Sequence, residues 1–431
     1  MRKRKNNIVP IFVGLIILLG IGYAYLNSGL SINGTTNISN ASWNVYWDSV
    51  NVTEGSVTDV TTAAHILTGE TEVEFNVNFT KPGDFYEFTV DAVNDGSIDA
   101  MVDSLTKGVY ASNGTTPKPL PDYLTYSVTY SDGIEIEANH LLSAGHTETY
   151  KVRVEYKTDI EANQLPSTAD NYMFKIAVNY KQADDNAEEV IHTVSFADDT
   201  WDTIVKAIKS GKTSNYHVGD TKEIDMGTFG THTLRIANTT TPSECGATGF
   251  SQTACGFVLE FADIIATHVM NSDNDGSIEG TGNNGGWRFS EMRSYVNSTI
   301  YNALPTTLKN SIIDTTVISG LSLYDYSGYA TTTDKLYLLS VKETWGEGDY
   351  SEYDGAWNST RQLDYYDILG VDSNHYSGLQ KKLNGSNSMW WLRTVHYGNG
   401  TDGWIYVYND GSLFLSACYG NYGVSPAFRI G

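Results

Sequence analysis

The segment NSDNDGSIE places Asn271, Asp273, Asp275, Ser277 and Glu279 at alternate positions around Gly276. Alternating oxygen ligands about a glycine turn is how a calcium loop begins. Position twelve of that loop is Gly282 instead of a bidentate carboxylate, which excludes a complete EF-hand. An ion on Asp273, Asp275, Ser277 and Glu279 would therefore need a ligand from elsewhere, and a solvated Asx-rich turn accounts for the same residues without one. Calcium is the one cofactor the sequence raises. The tripeptide GKT, Gly211 to Thr213, matches the end of a phosphate-binding loop, but Lys206 occupies the first glycine position and the helix precedes the motif instead of following it. Neither HExxH, nor GxSxG, nor Cys and His at zinc spacing occurs, so the common exported zinc and serine hydrolases lose their main support.

Two further sets of residues carry chemistry. Cys245 and Cys255 bracket a short Gly-containing segment and are expected to form a disulfide in an oxidising compartment, leaving Cys418 as a packed, inert thiol. The stretch WIYVYNDGSLFLS, Trp404 to Ser416, reads as a β-hairpin. Its Asn-Asp-Gly favours a three-residue loop, a type I turn closed by a left-handed Gly, which pairs Tyr408 with Ser412 and Tyr406 with Phe414. That register puts Ile405, Val407, Leu413 and Leu415 on one face and Trp404, Tyr406, Tyr408 and Phe414 on the other. The aliphatic set is expected in the core. The aromatic set, with Tyr397 and Asp402 in the adjoining HYGNGTDG, is the expected ligand-binding face for a glycan or a protein, because amphipathic rings make contacts at low entropic cost. A covering helix or domain would give the same rings a purely structural part.

These residues need elements to hold them. The chain has 431 residues, enough for at least two domains. With 29 Tyr and only 18% charged residues, the balance suits strands better than helical bundles. Acidic residues outnumber basic ones 51 to 27, a formal charge of -24 that repels nucleic acid over most of the surface. MRKRK followed by the uncharged run Ile8–Leu26 predicts a membrane-inserting segment over 1–29, as a retained single-pass anchor or a cleaved signal peptide. The charge of its flank directs the remainder of the chain to the extracellular side.

Period-two alternation fills 30–184. Val73, Phe75, Val77 and Phe79 share one strand face, as do Tyr86, Phe88, Val90 and Ala92, then Tyr150, Val152, Val154 and Tyr156, then Tyr172 to Tyr180. With turn signals between them and no amphipathic helix, the economical architecture is an antiparallel β-sandwich. The acidic run QADDNAEEV, Gln182 to Val190, marks an interdomain linker, set at 185–193. From 194 to 431 the pattern is α+β: Trp201, Ile204, Val205 and Ile208 lie at helical spacing ahead of Gly211, and a second helix is expected from Ser290 to Pro305.

The C-terminal motifs SMWWLRT and YGVSPAFRI, with GGWRFSEMRSYVNSTIYNALP upstream, resemble an uncharacterised domain family of exported bacterial proteins that reads WWLR, a variable hairpin, then GVRPAF. That family is more distantly similar to the C-type-lectin-like fold of formylglycine-generating enzymes. The resemblance implies that Trp390, Trp391, Leu392, Arg393, Gly423, Pro426, Ala427 and Phe428 are framework and that the hairpin presents the ligand-facing side chains. Ser425 replaces the usual Arg, and Cys418 lacks the second cysteine that formylglycine-generating enzymes use. The N-terminal half, with PGDFYEFTVDAVNDGSIDA and TYKVRVEYK, resembles exported sandwich domains of the TasA and camelysin group, which implies a jelly roll and fibre assembly with Leu30 to Ile38 as donor strand. The expected protein is a multidomain, cell-surface or secreted, non-enzymatic binding protein. Its alternatives are a matrix or fibre subunit, or an enzyme on a formylglycine-generating-enzyme-like fold.

Overall fold

The computed structural model describes residues 41–58, 60–69, 71–161, 165–166, 171–321, 328–346, 354–396 and 403–431. The apolar run Ile8–Leu26, the segment Leu30 to Ile38, Tyr397 and Asp402 lie outside the described residues. Among the described residues, no helix is long and apolar enough to cross a membrane. The chain is mostly β-sheet. It divides into two compact units, one running to Leu124 with Leu141–Thr149 and Glu155–Ala187, the other made of Thr125–His140, Tyr150–Val154 and Glu188–Gly431.

Two sheets account for the period-two region. β1 (Val45–Val52), β4 (Phe85–Asn94), β8 (Thr147–Tyr156) and β6 (Leu124–Tyr130) form one, in the order β1-β4-β8-β6. β2 (Val60–Ile66), β3 (Val73–Val77), β9 (Tyr172–Gln182), β5 (Ala100–Ala111) and β7 (Leu141–Leu142) form the other, in that order. Alternation sorts the faces as the period demands: Val73, Phe75, Tyr86, Phe88, Val90, Val152, Val154, Phe174 and Ile176 are all buried. Rings bridge the sheets, with Phe75 of β3 lying 5.1 Å edge-on to Phe88 and 5.6 Å from Tyr86, both of β4.

The part of the second unit from Glu188 onward has a different plan. One antiparallel sheet runs β10 (Thr221–Asp225), β11 (Thr231–Asn238), β12 (Val258–Phe261) and, at its edge, β22 (Ala427–Arg429). The last strand of the chain thus pairs with one laid down some 170 residues earlier, through Val258–Arg429, Leu259–Phe428 and Glu260–Ala427. Two short hairpins, β14 (Thr315–Gly320) with β15 (Tyr329–Asp334) and β16 (Lys381–Leu383) with β17 (Ser386–Ser388), stand apart. A five-stranded sheet has the order β13 (Ala266–His268), β21 (Tyr422–Val424), β18 (Trp390–Val395), β19 (Gly403–Val407), β20 (Leu413–Ala417), with β18 and β21 parallel.

The helices start and stop where their caps require. Thr200 accepts the amide of Thr203 at the head of Trp201–Ser210, and Gly211 ends it with φ 71°. Ser290 accepts the amide of Arg293 (3.1 Å) to open a helix that passes from Glu291–Tyr295 through a π-helical turn, Val296–Ile300, to Tyr301–Ala303. It ends at Leu304, which is extended ahead of Pro305. Met292, Val296 and Ile300 are buried from this helix, and Trp287, Trp390, Trp391 and Trp404 from its surroundings.

Candidate functional site

The Trp404–Ser416 hairpin has the register its turn chemistry dictates. Tyr406 pairs with Phe414 and Trp404 with Ser416, and the Tyr408 amide donates to Ser412 O at 2.7 Å. Gly411, at φ 96°, closes the turn with its amide on Tyr408 O (3.0 Å). A Cβ there would sit 2.1 Å from Tyr376 O, so close approach as well as the left-handed backbone selects glycine. Asp410 accepts from the Ser412 amide and hydroxyl, which fixes the tip.

Burial corrects the expected sidedness. β19 is second from the sheet edge and is buried along its whole length, on both faces. Ile405, Val407 and Leu413 are in the core as the aliphatic face should be, but Leu415 is 44% exposed. Trp404 is completely buried, and its indole N–H donates to Gly282 O at 3.1 Å, so the loop after the calcium-like segment covers it. Tyr406 retains 9% exposure beneath Trp391, Tyr422 and Phe414, at ring separations of 6.0, 4.7 and 6.3 Å. Burial holds its phenol above the usual pKa range, with smaller contributions from Tyr422 and Tyr408. Among the described residues of the predicted set, only Tyr408 (36%) and Phe414 (51%), 5.4 Å apart, face solvent. Tyr419, outside that set, joins them on the surface. Tyr397 and Asp402 lie outside the described residues.

The result is an aromatic row graded from interior to surface: Trp391, Tyr406 and Tyr422, then Phe414 and Tyr408. Ser416 Oγ meets Tyr422 OH at 3.2 Å, and Trp391 is pinned by its indole N–H on His268 O at 3.0 Å. The inner rings are therefore held, and they support the outer pair.

The other candidates come apart. Among the described residues no group of three His, Cys, Asp or Glu side chains is placed to hold a metal ion. Asp273 accepts the amide of Asp275, Asp275 accepts the Ser277 hydroxyl, and Asp273 O takes the Gly282 amide, so Asp273, Asp275 and Ser277 serve the turn's own hydrogen bonds. Glu279 is exposed and does not join them. Cys245 and Cys255 form the disulfide, with Cα atoms 5.8 Å apart. Cys418 is buried, its Sγ 3.6 Å from Asp273 O, and has the character of a packed thiol.

Sequence reasoning missed the buried charges that hold the site's frame. Arg393 of WWLR makes a bidentate pair with Glu343, both bonds at 2.5 Å, and both groups are fully buried. Ser340 N (2.9 Å), Thr360 Oγ1 (3.1 Å) and Thr253 Oγ1 also donate to that carboxylate. Burial alone would raise the Glu343 pKa, yet Arg393 and these donors hold it below the usual range. A second centre joins Glu260 to Arg235 (2.6 Å), Lys381 (2.7 Å) and the Tyr366 hydroxyl (2.7 Å). Here too the cations outweigh desolvation and bring the Glu260 pKa to about 2. Lys381 also donates to Ser425 Oγ at 2.9 Å, so a cation from β16 occupies the neighbourhood of the motif position where Ser replaces Arg. The available signal was a lone charge inside an apolar run, Glu260 in FVLEF and Arg393 in MWWLRT.

Residues 261–431 match a family described as a domain of unknown function, DUF6273. The match covers WWLR, the hairpin and GVSPAF, and begins at residue 261 instead of at the expected domain start, Val194. No curated protein matches the chain.

Proposed function

We propose that the protein is a cell-surface or secreted binding protein without catalytic function, whose C-terminal unit is a C-type-lectin-like recognition head. The single observation behind this reading is the graded aromatic row: held rings at Trp391 and Tyr406 support the exposed pair Tyr408 and Phe414 on the outer hairpin. Surface rings backed by rigid packing make contact area at low entropic cost. Phe414 carries no hydroxyl, and Leu415 beside it is also exposed, which favours a protein partner over a glycan. The charged N-terminal flank and the apolar run Ile8–Leu26 support display outside the membrane.

The experiment is a screen of the full-length chain against host-protein and glycan panels, repeated with Tyr408→Ala/Phe414→Ala. Binding to a protein that the double variant loses, with thermal stability retained, is the expected result. Equal binding by the double variant would remove the site.

A further inference from the structure

We infer that β20 is a docking edge for an extended peptide of another protein, apolar in its middle and basic at both ends, added as a sixth strand. This rests on the recognition-head reading and specifies its partner.

The hydrogen-bond phase of the hairpin settles which groups face outward. The Tyr408 amide bonds Ser412, so the pairs 408/412, 406/414 and 404/416 are the bonded ones, and 407/413, 405/415 and 403/417 are not. Gly403 O confirms the phase by accepting the His396 amide on the β18 side, away from β20. The amide and carbonyl of Leu415 and the amide of Ala417 therefore point away from β19 at positions open to solvent, while Leu413, which has the same phase, is buried. β20 is the last strand in its sheet, so nothing in the sheet order meets them. Ala417 O is already taken by the Gly420 amide at 3.0 Å.

Edge strands are usually protected by a charge, a proline or a bulge. β20 has none of these: it reads LFLSA, pairs without a register break, and exposes Phe414 on one face and Leu415 on the other. No Lys or Arg occurs from Gly403 to Phe428.

Charge at the two ends identifies the occupant. At the turn end stand Asp410 and, in the loop against Gly411, Asp372 with His375 beside it. At the other end the acidic loop begins on the strand's own exit: Cys418 O accepts the amides of Met270 and Asn271, and Asp273, Asp275 and Glu279 come next, all exposed. An uncharged edge between two acidic ends fits a strand with basic flanks. A second copy of this chain, itself at -24, fits poorly.

The test uses a fluorescein-labelled peptide, KKTVTVTKK, its counterpart EETVTVTEE, and the full-length chain, read by fluorescence anisotropy. The expected result is binding of KKTVTVTKK that weakens in high salt, with EETVTVTEE at least about tenfold weaker. Leu415→Pro removes an outward amide while leaving the bonds to β19, so it should weaken binding by at least about tenfold, and Leu415→Ala by much less. Leu415→Lys, a folded-edge control that places a charge on the strand, should also lose binding. No binding of KKTVTVTKK, equal binding of the two peptides, or Leu415→Pro binding like Leu415→Ala would overturn the inference. Loss with Tyr408→Ala/Phe414→Ala alone would keep the aromatic site and remove strand addition; loss with Leu415→Pro alone would do the reverse. A concentration-dependent dimer abolished by Leu415→Pro would make the occupant a second copy and overturn the foreign peptide.

Discussion

Replacing Trp404 and Phe414 separately by Ala distinguishes the two ends of the aromatic row. Trp404 is fully buried with its indole N–H on Gly282 O, so truncation leaves a large cavity and removes one of the two hydrogen bonds that carbonyl accepts, the other coming from Asn271 Nδ2 at 2.8 Å. Trp→Ala changes of this kind cost about 3–5 kcal/mol, which at roughly 2–4 °C per kcal/mol for a unit of this size lowers the melting temperature by about 6–20 °C. Phe414 is half exposed. Full burial of such a ring contributes about 1.5–3 kcal/mol, so its loss costs about 1 kcal/mol and roughly 2–4 °C. Near-ultraviolet circular dichroism and differential scanning calorimetry on the full-length chain read both. If the Trp404→Ala melting temperature fell no further than that of Phe414→Ala, the assignment of Trp404 to the frame and Phe414 to the surface would be refuted.

Arg393→Met strands the Glu343 carboxylate in the core and should cost about 3–5 kcal/mol, whereas adding Glu343→Leu should recover a large part of it. Urea denaturation checks this, and a double variant as unstable as the sum of the singles would contradict it. Acid should act through the same groups. The carboxyl pKa values of Glu260 and Glu343 lie below the ordinary 4.5, so the folded state binds fewer protons than the unfolded one. Their stabilisation is complete above about pH 4.5 and is lost as pH falls below it, for Glu260 toward about 2, which urea midpoints at pH 7, 4.5 and 3 should record as a progressive decline. A midpoint unchanged between pH 4.5 and 3 would show that these pairs do not govern acid stability.

Local rules were legible in the sequence because they act over a few residues. The alternation of Val73, Phe75 and Val77 wrote a strand, Thr200 and Gly211 bounded a helix, and Asn409-Asp410-Gly411 set the hairpin register. What could not be read was coverage. Whether Trp404 faces water depends on Gly282, 122 residues away, and a one-wet-face hairpin is the simplest expectation from local alternation. β19 lies inside its sheet and has no such face. The buried pairs were hidden for the same reason, since Lys381 and Glu260 are 121 positions apart and Arg393 and Glu343 are 50 apart. In the candidate site, the hairpin register was legible and the depth of its rings was not.

The closing of β12 on β22 bears on where the second unit can be cut. The family match starts at residue 261, at the C-terminal end of β12, so β10, β11 and nearly all of β12 fall before it. A polypeptide trimmed to that limit would lack Glu260, leaving the Lys381 ammonium in the interior without its carboxylate, and would strip β22 of its neighbour. The inheritable segment that sequence comparison delimits is thus smaller than the folding unit. The residues ahead of it, outside the matched segment, supply the part of the sheet onto which β22 must pair.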